Sequence, residues 1–78
     1  MQTYTMNADA IREMLNQRPF EPFEVIMSSG ERHLVKHPEF AILLPSRVIV
    51  TDPVADRAAM LSLMHVTELR PAQSQPSV

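Results

Sequence analysis

The sequence predicts a mostly β fold, in which one N-terminal helix packs on a small, bent antiparallel sheet of about five strands. Seven prolines and a single glycine divide the 78 residues into short apolar-patterned segments. Segments of this length and spacing are typical of strands in a small sheet. Residues 23–35 also have the pattern of a strand, a turn and a second strand, with Gly30 free to adopt a positive φ at low cost.

The N-terminal segment predicts a helix over residues 8–17. Asn7 is a suitable cap, because its side-chain oxygen can accept hydrogen bonds from the first free backbone N–H groups. Pro19 ends the helix, since proline disfavours a helical conformation in the residue before it. A helix this short needs a surface to lie on. Its apolar positions recur at helical spacing: Ala8, Ile11, Met14 and Leu15.

The first strands are predicted from the alternation of apolar and polar residues. In the first strand Phe23, Val25 and Met27 form the predicted inner face. The second strand continues to residue 37, where Pro38 breaks it. Two further strands are predicted at 40–44 and 47–51, and residues 52–56 form a turn whose aspartates suit local hydrogen bonding.

A closing strand is predicted over residues 57–69. Residues 58–64 also have helical propensity, but a strand is favoured because Val66 and Thr67 continue it and the sheet needs a closing member. Residues 71–78 are polar and contain proline, which predicts a disordered tail after a single domain over 1–70. Strand alternation puts four residues on one face: Met60, Ser62, Met64 and Val66.

Composition limits the class of protein. The net charge is −2 and cysteine is absent, so the chain lacks the basic surface of a DNA-binding protein and cannot form disulfides or thiolate metal sites. The polar beginning and the lack of a long apolar stretch predict neither a signal peptide nor a membrane span. We expect a cytoplasmic protein without a DNA or membrane partner.

Self-association is the support that we expect for so small a core. A chain of this length buries only about 60% of the surface that its unfolded form exposes, and oligomerisation is one way to stabilise such a domain. The closing strand is apolar on both faces, so one face needs a cover. We therefore predict a non-enzymatic interaction or assembly module, homo-oligomeric or bound to a protein partner. Its predicted interface is Met60, Ser62, Met64 and Val66.

Signals for catalysis or metal binding are weak. The sequence has no nucleophile elbow, and one glycine cannot supply a phosphate- or dinucleotide-binding loop. His33 and His37 lie about 13 Å apart along an extended strand, whereas a catalytic zinc needs three converging ligands. We expect no enzyme activity, cofactor or metal. A hydrolase or metal site on His33, His37 and His65 is the third and weakest hypothesis.

Four segments carry a resemblance to a known group. They are Ile11-Arg-Glu-Met-Leu in the helix, Arg-Pro-Phe-Glu-Pro-Phe at 18–23, Ser-Gly-Glu-Arg at 29–32 and His-Pro-Glu-Phe at 37–40. Together they resemble a group of short, uncharacterised bacterial proteins along most of the chain. Because that group has no assigned activity, the resemblance implies none here.

A second resemblance is architectural. Residues 23–44 form the pattern of a strand, a glycine turn, a polar strand and an apolar strand, which is similar to the first motif of Sm-like proteins; residues 64–66 are similar in place to the second motif. The resemblance implies an Sm-like or SH3-like barrel, assembly into rings, and RNA binding through Arg32, Lys36 and His65. Met64 stands where the Sm-like RNA chaperone has a lysine. RNA binding is therefore the alternative to the interaction module.

Overall fold

The computed structural model of the chain describes the backbone of residues 3–72 and the side chains of residues 8–72. This part of the chain contains one α-helix, α1 (Thr3–Leu15), and two short 3-10 turns, Pro38–Phe40 and Leu63–His65. No helix within it is long and apolar enough to cross a membrane. The six strands are β1 (Phe23–Met27), β2 (Arg32–Val35), β3 (Ala41–Leu43), β4 (Arg47–Asp52), β5 (Arg57–Ser62) and β6 (Val66–Pro71).

The strands form two antiparallel sheets of three strands each. The first has the order β2-β1-β6 and the second β3-β4-β5. A mostly β fold with one helix is confirmed, but the predicted single sheet of about five strands is wrong. Pro38 has no N–H to donate to a neighbouring strand, and the chain turns there, so that β2 and β3 belong to different sheets. The turn at Leu63–His65 divides the predicted closing strand into β5 and β6.

The helix differs from its prediction at both ends. It begins at Thr3 and ends at Leu15, so the predicted range of 8–17 is wrong, and Asn7 lies within the helix instead of capping it. At the C-terminal end the Asn16 N–H donates to the carbonyls of both Arg12 and Glu13, a tightened last turn that ends the helix ahead of Pro19. The apolar stripe is confirmed, since Ile11 is fully buried and Ala8, Met14 and Leu15 pack against the core.

One hydrophobic core takes side chains from both sheets and from α1. The predicted inner face of β1 is confirmed, because Phe23, Val25 and Met27 are all buried. The helix covers the end of this core where it contacts β3, β6 and the turn at Leu63–His65. The core is completed by Ile11, Val35, Val48, Val50, Leu61, Leu63 and Val66.

The turn between β5 and β6 changes which side chains face inward. Leu63 and Val66 are both buried, although they are three residues apart and would point to opposite faces of an uninterrupted strand. The 3-10 turn supplies the offset that brings both into the core, while Met64 between them is 72% exposed. The predicted common face of Met60, Ser62, Met64 and Val66 is therefore wrong.

The predicted tail begins too early. Pro71 is the last residue of β6 and lies opposite Phe23 on β1. The Ala72 N–H then donates to the Pro22 carbonyl at 3.0 Å, which extends the pairing by one more residue. Residues 73–78, the rest of the predicted tail, lie outside the described residues.

The two predicted hairpin turns are confirmed. Gly30 has a φ of 96° between β1 and β2, and its N–H donates to the Met27 carbonyl at 2.9 Å. Between β4 and β5, Asp52 Oδ1 accepts a hydrogen bond from the Ala55 N–H at 3.3 Å. Asp56 completes that turn with a φ of 59°, a conformation that aspartate tolerates better than most residues.

Replacing Gly30 with alanine is expected to lower the free energy of unfolding by about 1 kcal/mol. A Cβ at this position would meet no heavy atom within 4 Å, so the cost comes from the backbone conformation and not from a clash. Chemical denaturation of the two proteins measures it. Gly30→Asn is the matched control, because asparagine tolerates positive φ. An equal loss in both variants would contradict the backbone explanation.

Candidate functional site

The outer face of the second sheet carries a continuous apolar row. Ile42, Ile49 and Met60 are direct cross-strand neighbours on β3, β4 and β5, and we call these three residues the outer row. Their neighbours Val48 and Val50 point into the core, so strand alternation directs the outer row away from it. Ile42 and Met60 are 51% and 60% exposed and Ile49 between them is half-buried, so the described chain leaves most of the row uncovered.

The margin of this row is polar but carries little charge. The Leu44 N–H donates to the Arg47 carbonyl at 2.8 Å and closes the β3–β4 turn. The guanidinium of Arg47 lies 3.3 Å from the Met60 sulfur, so this cation rests on the apolar surface at its edge. On the other side the Thr51 hydroxyl donates to the Phe40 carbonyl at 3.1 Å. The outer face is therefore an aliphatic strip with a single cation beside it.

The residues predicted as an interface are scattered in the structure. Met60 belongs to the outer row, and Met64 is exposed in the turn after β5. Ser62 is half-buried at the end of β5, and Val66 is only 6% exposed, so Val66 cannot reach a partner. Two residues of the outer row, Ile42 and Ile49, were missed. Their signal was present in the sequence, since 40–44 and 48–50 are apolar throughout while only every second residue of a strand can face the core.

A cleft of about 360 Å³ lies between β2 and the far end of the β4–β5 hairpin. Three cationic side chains line it, Arg32, Lys36 and Arg57, together with the single carboxylate of Asp52. The cleft opens beyond the first residue of β3. That residue, Ala41, pairs with Val50, whereas β4 continues unpaired on this side to Asp52. The apolar part of the lining consists of Leu34, Phe40, Val50, Pro53, Val54, Ala58 and Ala59.

The positive charge of this cleft is only partly neutralised. A guanidinium nitrogen of Arg32 lies 3.6 Å from a carboxylate oxygen of Glu24. Asp52 is the cross-strand neighbour of Arg57, yet the two do not form an ion pair. Within residues 8–72, no carboxylate lies at ion-pair distance from Lys36 or Arg57. The cleft is therefore locally cationic in a chain whose net charge is −2.

One wall of the cleft is the free edge of β2, which pairs only with β1. The Met27 N–H donates to the Glu31 carbonyl at 2.9 Å, so these two residues form a hydrogen-bonded pair. Such pairs recur at every second residue of an antiparallel ladder, so the next residue of β2 that bonds to β1 is His33. Arg32 and Leu34 consequently direct their backbone N–H and C=O groups away from β1. Residues 32–34 all line the cleft. Because successive side chains point to opposite faces of a strand, this indicates that the cleft runs along the edge of β2 and not over one of its faces.

The three predicted RNA contacts do not come together. Arg32 and Lys36 share the cleft, but His65 is not part of its lining. His65 lies in the second 3-10 turn, where its carbonyl accepts a hydrogen bond from the Ser28 N–H at 2.7 Å. Arg57 joins the cleft instead. No local sequence signal marks it, because only the folding back of the β4–β5 hairpin brings it towards β2.

The histidines do not form a metal centre. His33 is half-buried on β2, and its Nε2 lies 3.3 Å from Oε1 of the exposed Glu31. His37 contacts the ring of Phe40 edge-on, with the centroids 5.0 Å apart. In the described part of the chain, no three side chains of histidine, cysteine, aspartate or glutamate are placed to hold a metal ion.

No family model, curated protein or solved structure matches the chain. The candidate surfaces within the described chain are the outer row and the cationic cleft. The first is an uncovered apolar face, and the second combines unpaired positive charge with a free strand edge.

Proposed function

We propose that the chain is a non-enzymatic interaction and assembly module that self-associates through the outer row. The observation that carries this proposal is the uncovered row of Ile42, Ile49 and Met60 across the second sheet. Contiguous exposed apolar side chains mark interaction surfaces in small soluble domains. Burying them also supplies the additional stabilisation that a small core needs.

A second copy of the chain suits this face because the row is symmetric about the central strand. Ile49 lies on β4, and Ile42 and Met60 lie on the strands to either side. A two-fold axis parallel to β4 would place Ile42 of each copy against Met60 of the other, an isologous contact. Methionine adapts to such a surface because its side chain is unbranched and polarisable.

The architecture that we propose with it is an open Sm-like or SH3-like barrel. Two observations support it. β2 and β3 follow one another through the turn at Pro38–Phe40, as two halves of one bent strand would. The turn at Leu63–His65 joins β5 of one sheet to β6 of the other in the same way. Strands that change sheet at bends are the corners of such small barrels.

RNA binding is the second candidate function, favoured by the presence of Arg32 and Lys36 in one cleft. Two observations make it the weaker one. His65 lies elsewhere, and the apolar lining has a single aromatic side chain, Phe40, on which a base could stack. An oligo-U titration at low salt tests it, since binding through phosphates weakens steeply as salt is added.

Substituting aspartate for Met60 is expected to abolish self-association. In the proposed contact the carboxylate would be desolvated against Ile42 of the second copy without a partner charge, which is strongly unfavourable. Light scattering behind size exclusion measures the mass over a concentration series. The wild-type chain should form a dimer or larger species by about 1 mM, where even an association of about −4 kcal/mol is visible. The variant should remain a monomer throughout.

Met64→Asp is the matched control, because Met64 is exposed but lies outside the outer row. It should leave the mass unchanged. A wild-type chain that stays monomeric at about 1 mM, or an assembly that only Met64→Asp disrupts, would contradict the proposal.

A further inference from the structure

We propose that the cationic cleft is a docking site for an acidic, extended peptide segment of a partner protein, which adds as a strand to the free edge of β2. The site shares no residue with the outer row, so it does not depend on self-association. Strand addition is a recurrent mode of peptide recognition, in which backbone hydrogen bonds provide affinity and side-chain contacts provide specificity.

Charge complementarity indicates the sign of the ligand. Lys36 and Arg57 have no ion-pair partner among the described residues, and Arg32 has only a long contact of 3.6 Å with Glu24. Three cations thus face the one carboxylate of Asp52 across the cleft. A peptide carrying two or three carboxylates would neutralise the excess.

The backbone of β2 indicates an extended ligand. Arg32 and Leu34 both line the cleft and direct N–H and C=O groups away from β1, at the two-residue spacing that an antiparallel or parallel strand would match. Alternate side chains of the added strand would then point to opposite faces. One set would lie on the face of β2 that carries Arg32 and Leu34, and the other on the face that carries His33 and Val35.

The lining favours a peptide over a nucleic acid. Its apolar part is aliphatic apart from Phe40, whereas single-stranded nucleic acids are held by stacking several bases on aromatic side chains. Asp52 in the lining and Glu24 next to Arg32 would repel a continuous polyanion. A short peptide can place its carboxylates at the three cations alone.

A nitrogen-15 NMR titration tests the proposal on the full chain. The probe is a blocked hexapeptide of alternating glutamate and valine, and its matched control replaces each glutamate with glutamine. The acidic peptide should shift the amide resonances of residues 32–36 and 51–59 in a saturable manner. The glutamine peptide should bind at least about fivefold more weakly, the effect of about one exposed ion pair. Added salt should weaken only the acidic peptide.

Two protein variants separate the backbone contribution from the charge contribution. Leu34→Pro removes an N–H that points away from β1, so the β1–β2 pairing is retained while strand addition is blocked; at least about tenfold weaker binding is expected. Lys36→Gln combined with Arg57→Gln should weaken binding by a similar factor and reduce its salt dependence. Arg70 pairs with Glu68 on β6, at the opposite edge of the first sheet, so the control Arg70→Gln should leave binding unchanged.

Several outcomes would overturn the proposal. They are the absence of localised shifts at millimolar peptide, equal binding of the acidic and glutamine peptides, and unchanged binding by a folded Leu34→Pro chain. If that variant fails to fold, the Lys36 and Arg57 double variant decides, and unchanged binding by it rejects the site. Tighter binding of oligo-U than of the acidic peptide at the same residues would reject a peptide ligand in favour of a nucleic acid.

Discussion

Replacing Phe23 with alanine is expected to lower the free energy of unfolding by about 3–5 kcal/mol. Phe23 is fully buried and lies between Val35 on β2 and Pro71 on β6. Its ring contacts Phe20 at a centroid distance of 6.1 Å. Truncation would leave a cavity where all three strands of the first sheet meet. Since a domain of this size has only about 4–12 kcal/mol of stability in total, the variant should be close to unfolding in water.

Chemical denaturation followed by circular dichroism measures this loss. Phe20→Ala is the matched control, because Phe20 is the same residue type three positions away but is only half-buried. It should lose less than half as much stability as Phe23→Ala. Equal losses in the two variants would mean that burial of Phe23 is not what holds the first sheet together.

Deleting Met64 is expected to destabilise the domain strongly. The turn at Leu63–His65 is what allows Leu63 and Val66 to enter the core together. With one residue fewer, β6 must leave its pairing with β1, turn Val66 outwards, because a shift of one residue exchanges the two faces of a strand, or absorb the shift in the bulge that already interrupts the pairing between Ile26 and Met27. The second outcome exposes Val66 and moves polar residues of β6 inwards. The cost is about 3 kcal/mol or more, since an apolar contact is lost and a polar group is buried.

The matched control for this deletion is Met64→Ala. Met64 is 72% exposed, so removing its side chain while keeping the length of the turn should change stability by no more than about 0.5 kcal/mol. Thermal unfolding of both variants shows whether stability depends on the length of the turn or on the Met64 side chain. A deletion variant that unfolds cooperatively at the wild-type temperature would show that the length of this turn does not set the register of β6.

The two surfaces differ in how far the sequence predicted them. Exposed methionines on the closing strand were expected, and Met60 does lie on the uncovered face, but its partners in the outer row are Ile42 and Ile49 from other strands. An alternation pattern shows which residues share a face of one strand. It does not show which strands are neighbours, because pairing depends on contacts between residues that are distant in the sequence.

The cationic cleft shows the same limit more clearly. Arg32 and Lys36 are close in sequence and were expected to act together, whereas Arg57 reaches them only through the β4–β5 hairpin. His65 was grouped with them because residues 64–66 resemble the second Sm-like motif, yet the turn that contains it lies next to Ser28. The composition of a binding site made by several elements is decided by how those elements pack.

The sequence by itself determined the local features of this protein. They are the inner face of β1, the positive φ of Gly30, the aspartate turn after β4 and the breaks at proline, all of which depend on short-range sterics and a two-residue repeat. The tertiary structure alone decided the division into two sheets, the burial of Val66 beside exposed Met64, and the meeting of Arg57 with Arg32. These features arise because a single core must be filled from both sheets and the helix at once, and that requirement outweighs the alternation of any one strand.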